Sequence, residues 1–334
     1  MEETRASPLE EILGEIQNHA RIHKNVPLSK HSQWRVGGAA NIIIEPDSAD
    51  SVQPIIHIFH KHRLRYLILG STSNLLFDDD GLQCPAILIG RNLNRITVEG
   101  TQVCAEAGVW VPRFAKKVAD HGLSGAEHTA GIPGTLGGLI CMNGGSQRKG
   151  ISDHLTEVTY LSSNGDLQTK RKDECNFSYR QSSFQNTGDI ILSAKFEFQN
   201  TANPSQIKKE MLGILSSRRK KFPRKLPNCG SVFVSNPAMY EEIGPPGAAI
   251  EGCGLKGTTK GGAQISPLHA NFIVNNGNAT ASDILYLIHL IRTTVLQKTG
   301  YEMPTEVRYV SKNGEISPAH VEAASRAASA TQGV

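Results

Sequence analysis

The groups of this sequence best suited to bind a phosphate lie in two loops of small residues. LGSTSNLL (69–76) follows an apolar run and offers consecutive backbone N–H groups and hydroxyls. GIPGTLGGLICMNGGS (131–146) contains six glycines and one proline, and its glycines would let backbone N–H groups approach a ligand closely. The first loop alone fits an ordinary tight turn equally well. Together the two loops favour a large ligand with a diphosphate, and a dinucleotide flavin has suitable dimensions.

Three further segments carry residues that could act on a bound substrate. CNFSYRQSSF places Tyr179 and Arg180 just before a strand, where an arginine taken alone is more typical of a surface charge. A basic cluster at 218–225 leads into Ser231 at the start of an apolar strand. This cluster fits a solvated helix end, a localisation-like run or a diphosphate clamp beside a strand-borne serine. MPTEVRYV places Glu306 at the mouth of a strand.

Residue spacing disfavours several other kinds of site. Neither small-residue loop fits G-x-G-x-x-G or G-x-x-x-x-G-K-[ST], which disfavours a Rossmann or P-loop site. His57 and His60 share one side of a predicted helix but His62 does not, so no metal site is expected. Ser231 lacks the G-x-S-x-G elbow of a serine hydrolase. The six cysteines form no C-x-x-C pair and predict reduced thiols.

Composition predicts a soluble, intracellular protein. With 334 residues, the chain is long enough for two or three domains. Its net charge of +4 suits a phosphorylated small molecule as well as it suits nucleic acid. The acidic N-terminus is unlike a signal peptide, and no apolar run reaches membrane-spanning length. We therefore expect a cytoplasmic location and no membrane partner.

Alternating strand and helix signals predict an α+β protein. The predicted strands lie at 41–46, 65–70, 86–90, 95–100, 102–108 and 189–199, with a hairpin that turns at Asn164-Gly165. The predicted helices lie at 48–62, 111–122, 205–221 and 278–300, the last capped by Thr280 with Asp283 three residues on. Residues 1–28 predict a helix and a linker, and the Ala- and Ser-rich tail 312–334 is expected to be disordered or loosely helical.

Seven motifs occur in an order found in one protein family. They are SQWRVGGAAN, LGSTSNLL, GLSGAEHTAGIPGTLGGLICMNGGS, SYRQSSF, NCGSVF, IEGCGLKGTTKGGAQISPLHANFIVNNGNAT and PTEVRYV. From about residue 28 to 311 the sequence resembles the UDP-N-acetylenolpyruvoylglucosamine reductase (MurB) family. The short spacing after SYR is similar to that of the type II branch.

The resemblance implies an α+β fold with an FAD-binding domain of the vanillyl-alcohol-oxidase (PCMH) type at 29–200. This domain would comprise two subdomains, at about 29–92 and 93–200. A C-terminal α+β substrate-binding domain would follow at 201–311. The small-residue loops would then hold FAD.

The resemblance also implies a reaction: NADPH reduces FAD, and the flavin reduces the enolpyruvyl ether of UDP-N-acetylglucosamine to UDP-N-acetylmuramate, a peptidoglycan precursor. Arg180 and Glu306 match the positions that stabilise charge on the enolate, with Glu306 acting as a proton donor or through a hydrogen bond. Ser231 matches the proton donor to the carbanionic carbon. NADPH comes from the family alone, since no pyridine-nucleotide motif is visible.

The resemblance assigns further residues to the ligands. The positions matched to FAD binding are Gly37, Gly38, Gly70, Ser71, Thr72, Ser73, Asn74, Leu75, Gly131, Ile132, Pro133, Gly134, Thr135, Gly137, Gly138, Asn143 and Gly144. The positions matched to substrate contact are Tyr179, Lys221, Asn236 and His269. The implied partner is a small nucleotide sugar, with no nucleic acid, and the chain is expected to be a monomer or a weak homo-oligomer.

The sequence departs from the family pattern at three places. Ser71-Thr72 replaces glycines, and their hydroxyls are expected to hydrogen-bond to the flavin phosphates. Val234-Ser235 stands where a lysine is usual, and Ala248-Ala249 stands where bulkier or basic residues are common. These departures leave open a PCMH-type flavoprotein for another sugar or hydroxy acid, and a non-catalytic nucleotide-sugar binder.

Overall fold

A computed structural model describes residues 8–200 and 203–332. The start of the predicted N-terminal segment (1–7), part of the predicted domain boundary (201–202) and the end of the predicted tail (333–334) lie outside these residues. The chain divides into two compact units. Unit 1 comprises the described parts of Met1–Lys24, Ile42–Ser71 and Pro85–Ser217, and unit 2 those of Asn25–Asn41, Thr72–Cys84 and Arg218–Val334.

The described residues contain helices and strands in mixed order. The helices are α1 (Pro8–Ile16), α2 (Val52–Lys61), α3 (Val111–Asp120), α4 (Leu136–Cys141), α5 (Pro204–Lys221), α6 (Pro246–Gly252), α7 (Ala281–Thr299) and α8 (Ala319–Gln332). The strands are β1 (Ala20–Pro27), β2 (Ala39–Pro46), β3 (Leu67–Leu69), β4 (Leu75–Phe77), β5 (Ala86–Leu88), β6 (Ile96–Glu99), β7 (Gln102–Glu106), β8 (Leu123–Ser124), β9 (Leu155–Leu161), β10 (Leu167–Arg171), β11 (Ile190–Glu197), β12 (Gln199–Asn200), β13 (Thr259–Lys260), β14 (Ala263–Ile265), β15 (Ile273–Asn275), β16 (Arg308–Val310) and β17 (Ile316–Pro318). This content confirms the predicted α+β class.

One sheet has the order β1-β2-β5-β3 and is parallel from β2 to β3. Strands β2 and β3 lie on either side of β5 and are both parallel to it, and α2 forms the crossover that connects them. The apolar face of α2 is buried, as its periodicity predicts, through Val52, Ile55, Ile56 and Phe59. Strand β3 ends where the loop 69–76 begins.

The second sheet of unit 1 is antiparallel, in the order β10-β9-β11-β7-β6. The predicted hairpin is confirmed: β9 and β10 pair on either side of a turn in which Gly165 has φ of +86°. The side chains of Phe114, Phe196 and Phe198 form an aromatic group beside this sheet. Their burial places α3 on the core of unit 1.

Unit 2 has its own hydrophobic core around α7, with Trp34 fully buried in it. The capping box predicted for α7 is confirmed, since Thr280 Oγ1 accepts from the Asp283 N–H and Asp283 accepts from the Thr280 N–H. Strand β4 runs parallel to β16, and β16 pairs with β17. A separate three-stranded sheet has the order β13-β14-β15.

The expectation of a linker before residue 28 is wrong, and of the two alternatives for the tail the helical one is confirmed over the described residues. Residues 20–27, predicted as a linker, form β1 at the edge of the parallel sheet. The tail is ordered over its described part, with β17 at Ile316–Pro318 and α8 at Ala319–Gln332. Helix α8 is stable because it packs on α7 and buries Ala319 and Ala323.

None of the described helices is both long and apolar enough to cross a membrane. All six cysteines are free thiols. Within residues 8–200 and 203–332, no three His, Cys, Asp or Glu side chains are grouped to hold a metal ion.

Candidate functional site

The two small-residue loops meet in unit 1 at Gly70 and Thr135. A Cβ on Gly70 would lie 2.4 Å from Thr135 Oγ1, so no side chain larger than hydrogen fits there without a shift. Thr135 is buried and is the N-cap of α4, where its Oγ1 accepts from the Gly138 N–H at 3.4 Å. The sequence therefore needs glycine at position 70 because the second loop approaches it closely.

Tight packing accounts for other glycines of the 131–146 stretch. A Cβ on Gly137 would lie 2.9 Å from the Cβ of Ala107, and the Gly137 N–H donates to Ala107 O at 2.8 Å. A Cβ on Gly144 would lie 2.4 Å from Leu139 Cδ1. The N–H groups of Gly137 and Gly138 thus have acceptors within the protein. Leu136, Leu139 and Ile140 are buried and anchor the stretch in the core.

Arg180 lies at the third position of a tight turn. Ser178 and Gln181 exchange both backbone hydrogen bonds at 3.2 Å, and Arg180 has φ of +57°. A non-glycine residue in this conformation is strained, and such strain concentrates at functional sites. The guanidinium lies 5.1 Å from the ring centroid of Tyr179, which is exposed, and its Nη2 donates to Gly145 O at 3.5 Å.

Side-chain amides and a hydroxyl tie this turn to the glycine-rich stretch within unit 1. Asn143 Nδ2 donates to Ser178 O at 2.8 Å. Ser182 Oγ and Gln185 Nε2 both donate to Cys141 O, at 2.7 and 2.9 Å. The segment predicted to hold the cofactor therefore also holds the arginine predicted to act on the substrate.

In unit 2, Ser231 is partly buried, and the apolar strand predicted to start at it is wrong, because Val232 forms a bend and Phe233 only an isolated bridge with Thr305. Gly230 before Ser231 has φ of +79°, and its N–H donates to Asn228 Oδ1 at 3.0 Å. The side-chain amide of Asn271 binds both backbone groups of Phe233, two residues after Ser231. Its Oδ1 accepts from the Phe233 N–H at 2.9 Å, and its Nδ2 donates to Phe233 O at 3.1 Å. The Val232 N–H donates to Asn271 O at 2.9 Å. These bonds fix the backbone that carries Ser231.

Glu306 lies on the neighbouring segment of unit 2. Its N–H donates to Val232 O at 2.8 Å, and Thr305 forms an antiparallel bridge with Phe233. The Asn74 amide donates to Glu306 O at 3.0 Å. Ser231 and Glu306 are therefore carried by two directly hydrogen-bonded segments, and Glu306 is joined to the loop 69–76.

Thr72 departs from the expectation for its hydroxyl. It has φ of +51° and is buried, and its Oγ1 donates to His31 O at 2.7 Å. The hydroxyl of Thr72 therefore holds the part of the loop that belongs to unit 2 to His31 of the same unit. The thiol of Cys229 packs beneath the loop, 3.6 Å from Leu75 O, and burial raises its pKa well above the ordinary value. A neutral thiol there serves packing.

Gly37 and Gly38 pack on the loop that follows β4. Cβ atoms on them would lie 2.8 Å from Phe77 Cβ and 2.3 Å from Asp79 O, respectively. The Gly38 N–H donates to Asp78 O at 3.1 Å. Close backbone packing within unit 2 is sufficient to require both glycines.

The three predicted substrate-contact residues of unit 2 differ in exposure and in the contacts that they make. Lys221 is exposed at the end of α5. Asn236 caps a short helical turn, accepting from the Ala238 N–H at 3.1 Å. Burial lowers the pKa of His269, whose ring contacts Phe222 and Phe272 with centroids 5.5 and 5.0 Å away. A neutral ring is consistent with His269 Nδ1 accepting from the Asn271 N–H at 3.3 Å.

The donors of the two small-residue loops fit an FAD diphosphate. Ser71, Ser73 and Thr135 supply hydroxyls beside main-chain N–H groups, and neither 70–75 nor 131–138 contains a carboxylate. Phosphate oxygens accept such donors without like-charge repulsion. The residues present are thus compatible with the predicted cofactor.

Sequence reasoning gave no role to three residues that organise these segments. Asn271 clamps the Ser231 segment, and Thr305 and His320 contact each other beside Glu306. The motif containing Asn271 was visible, but its reach to Phe233 depends on tertiary structure. His320 lies in the tail that is expected to be disordered or loosely helical, so the sequence indicates no contact for it.

Comparison with known proteins supplies the family. A model of the C-terminal domain of UDP-N-acetylenolpyruvoylglucosamine reductase matches residues 222–310, and a model of an FAD binding domain matches residues 40–170. UDP-N-acetylenolpyruvoylglucosamine reductase 1 of Corynebacterium glutamicum is 42% identical over 300 residues, covering 90% of this chain and 89% of that one. This chain belongs to the UDP-N-acetylenolpyruvoylglucosamine reductase family.

Two further relatives agree with this. The UDP-N-acetylenolpyruvoylglucosamine reductase of Synechococcus is 39% identical over 296 residues, covering 88% of this chain and 95% of the relative. The crystal structure of the enzyme from Thermus caldophilus matches with a TM-score of 0.73 at 26% identity, covering 87% of this chain and 99% of that one. The predicted fold, an FAD-binding part followed by a C-terminal part of this reductase family, is confirmed.

Proposed function

We infer that this chain catalyses the reaction for which its family is named, the reduction of the enolpyruvyl ether of UDP-N-acetylglucosamine to UDP-N-acetylmuramate. FAD is the cofactor and NADPH the reductant. The observation that carries the residue assignments is the hydrogen-bonded pair of segments bearing Ser231 and Glu306, in a chain related to these reductases over nine-tenths of its length.

The chemistry of the substrate sets the roles. Bound FAD, reduced by NADPH, supplies a hydride to the terminal carbon of the carboxylate-conjugated alkene. Negative charge then develops on the adjacent carbon and its carboxylate. Arg180 offsets that charge with its guanidinium, which the strained turn and the Tyr179 ring hold in one orientation. Glu306 stabilises the same charge as a proton donor or through a hydrogen bond.

Ser231 donates the proton to the carbanionic carbon. A serine hydroxyl is a weak acid, but such a carbon is a strong base, so the transfer needs accurate placement more than a shifted pKa. Asn228 and Asn271 supply that placement through the backbone on either side of Ser231. Tyr179, Lys221, Asn236 and His269 contact the nucleotide sugar, and exposed Lys221 suits its diphosphate.

We place the enzyme in the cytoplasm as a monomer or weak homo-oligomer. The six free thiols support a reducing compartment. The FAD sites assigned from the family include Ser71, Ser73, Thr135 and the glycines of both loops. Thr72 and Asn74 fix the backbone of the loop 69–76 through their hydrogen bonds to His31 O and Glu306 O.

Anaerobic stopped-flow spectroscopy tests the function. Purified protein is expected to be yellow, to be bleached by NADPH and to regain flavin absorbance when the UDP-sugar enolpyruvyl ether is mixed in. Ser231→Ala is expected to retain bleaching but to regain absorbance 10²- to 10⁴-fold more slowly, roughly the value of a positioned acid. Ser311→Ala, whose hydroxyl accepts from the exposed Glu315 N–H at 3.1 Å, is the control.

Two results would contradict the proposal. Protein that binds no flavin even with added FAD is not a flavin reductase. Wild-type reoxidation in Ser231→Ala would remove Ser231 as the proton donor while leaving the reaction itself in place.

A further inference from the structure

The N-terminal turn of α8 is bonded to the chain on both sides of Glu306. The Ala319 N–H donates to Val307 O at 3.0 Å, and the His320 N–H donates to Thr305 Oγ1 at 3.2 Å. These bonds satisfy helix N–H groups that have no partner within α8. The start of the helix is therefore docked on Thr305 and Val307.

The ring of His320 completes the contact. Its Nδ1 lies 3.1 Å from Thr305 N and 2.9 Å from Thr305 Oγ1. A backbone N–H can only donate, so Nδ1 must accept and the ring carries its proton on Nε2. Thr305 and His320 thus exchange hydrogen bonds through both backbone and side chain. We call this reciprocal contact of Thr305 and His320 the clasp.

The clasp restrains the residue that directly precedes Glu306. Thr305 and Val307 are buried, whereas Glu306 between them is partly exposed. Because the N–H and C=O of Glu306 are bonded to Val232 and Asn74, the clasp completes the restraint of this stretch of backbone.

A second contact anchors α8 farther along. Arg326 donates to Asp78 Oδ2 at 2.8 Å and to the Tyr309 hydroxyl at 2.6 Å. Burial opposes ionisation of Asp78, but its hydrogen bonds from Tyr309 and the Asp80 N–H, with the charge of Arg326, keep its pKa below the ordinary value. Helix α8 is thereby held to β16, the strand that follows Glu306.

We propose that His320, at the start of α8, is a positioning residue for Glu306, acting through Thr305. Helix α8 lies beyond residues 222–310, which the family's C-terminal domain model matches. The inference rests on the proposed function, in which Glu306 stabilises charge on the substrate. It adds a determinant that the family assignment does not contain.

The electrostatic surroundings keep the ring in the accepting form. Burial and the charge of Arg292 on α7 lower the pKa of His320, while Glu302 opposes them. The ring is therefore neutral at pH 7. A protonated ring would turn an N–H toward the Thr305 N–H and open the clasp.

Three variants test the proposal in the full-length holoenzyme. His320→Leu removes the acceptor, His320→Asn places an amide oxygen close to the position of Nδ1, and Val321→Ala changes an exposed neighbour on the same helix. If the leucine variant does not fold, His320→Ala, which also lacks the acceptor, replaces it. The first readout is hydrogen exchange of the Thr305 amide by mass spectrometry. The second is the rate of each half-reaction.

We expect His320→Leu to exchange the Thr305 amide at least tenfold faster and to slow flavin reoxidation by the UDP-sugar about tenfold, the effect of one buried hydrogen bond. Flavin reduction by NADPH should stay within about twofold of wild type. His320→Asn should restore most of both losses, and Val321→Ala should match wild type.

Three outcomes would overturn the proposal: unchanged reoxidation in His320→Leu, equal slowing of both half-reactions, or no rescue by asparagine. If wild-type protein is not reoxidised by the UDP-sugar, the proposed function fails. The exchange of the Thr305 amide still decides then whether His320 restrains this backbone.

Discussion

The side-chain amide of Asn74 donates to the main-chain carbonyl of Glu306 at 3.0 Å, and the Arg308 N–H donates to Asn74 O at the same distance. Residue 74 belongs to the loop assigned to FAD, and residue 306 carries the carboxylate assigned to the substrate. Because β4 and β16 run parallel immediately after these two residues, the pair is fixed by the sheet as well as by its own bonds. A change in the loop should therefore affect Glu306 directly.

Asn74→Ala tests this link. The change removes the donor to Glu306 O, and leaving such a carbonyl without its partner costs about 1–3 kcal/mol. We expect urea unfolding to show that loss, and flavin reoxidation to slow more than reduction by NADPH. Asn276→Ala, which removes an exposed hydrogen bond to Gln264, should change stability by less than about 0.5 kcal/mol. Equal effects of the two variants would contradict the link.

Gly70→Ala tests the close approach of the two small-residue loops. The new Cβ would lie 2.4 Å from Thr135 Oγ1, so the loops must separate and FAD should bind at least tenfold more weakly. The loss should be non-additive with Thr135→Ala, which removes the clashing atom. Gly90→Ala is the matched control, since its Cβ would make only an ordinary contact at 3.5 Å with Leu88. Fluorescence titration of apoprotein with FAD measures the wild type, the two single variants, the double variant and the control, and simple additivity would argue against the contact.

The elements predicted correctly are those encoded locally. The apolar stripe of α2, the Asn164-Gly165 turn and the Thr280–Asp283 capping box each depend on residues close in sequence. Strand β1 was missed because ARIHKNVP is mostly exposed and lacks alternation of apolar and polar residues. Helix α8 was expected only as one of two alternatives, because its alanines and serines also resemble low-complexity sequence. Pro318 ahead of an Ala-rich stretch was the available signal for a helix start.

The residues of the candidate site were likewise predictable only where the signal is local in sequence. Arg180, Ser231 and Glu306 could be singled out because each lies in a motif that resembles the family. The groups that hold them could not, since Asn74 and Glu306 are 232 residues apart and the clasp spans 15. A glycine in the sequence indicates a bound ligand and a closely packed neighbouring segment equally well. Gly37 and Gly137 lie against Phe77 and Ala107, which no motif shows.

Substitutions at Arg180 separate the energetic cost of its backbone conformation from the catalytic effect of its charge. Its φ of +57° costs an L-residue about 1 kcal/mol, which glycine does not incur. We expect Arg180→Gly to be more stable than Arg180→Ala by about that amount in urea unfolding. Both variants should reoxidise flavin at least 10²-fold more slowly, as expected for a lost charge-stabilising group. An alanine variant as stable as the glycine variant would show that the turn relaxes, and normal reoxidation in either would exclude the catalytic role.

The buried ring of His128 should make the folding stability of unit 1 depend on pH. The ring is 2% exposed, and its Nδ1 accepts from the Ser146 N–H at 3.4 Å, at the end of the glycine-rich stretch. Burial lowers its pKa from 6.5 to about 4, against the favourable charges of Asp153 and Glu127. Because the unfolded chain takes up the proton first, the stabilising effect is complete above pH 6.5 and is lost as the pH falls toward 4.

The size of this effect can be measured against a non-titrating variant. Between pH 7 and pH 5 the shift should remove about 2 kcal/mol of unfolding free energy. His128→Asn keeps an acceptor near Ser146 but cannot be charged, so it should lose about 2 kcal/mol less over this interval than wild type does. His121→Asn, at an exposed histidine after α3, should fall as wild type does. In the folded protein the ring takes up a proton, and the bond to Ser146 breaks, only as the pH falls to about 4, so FAD should dissociate near pH 4 in wild type and not in His128→Asn. Parallel pH profiles for the wild-type and His128→Asn proteins would exclude His128 as the group responsible.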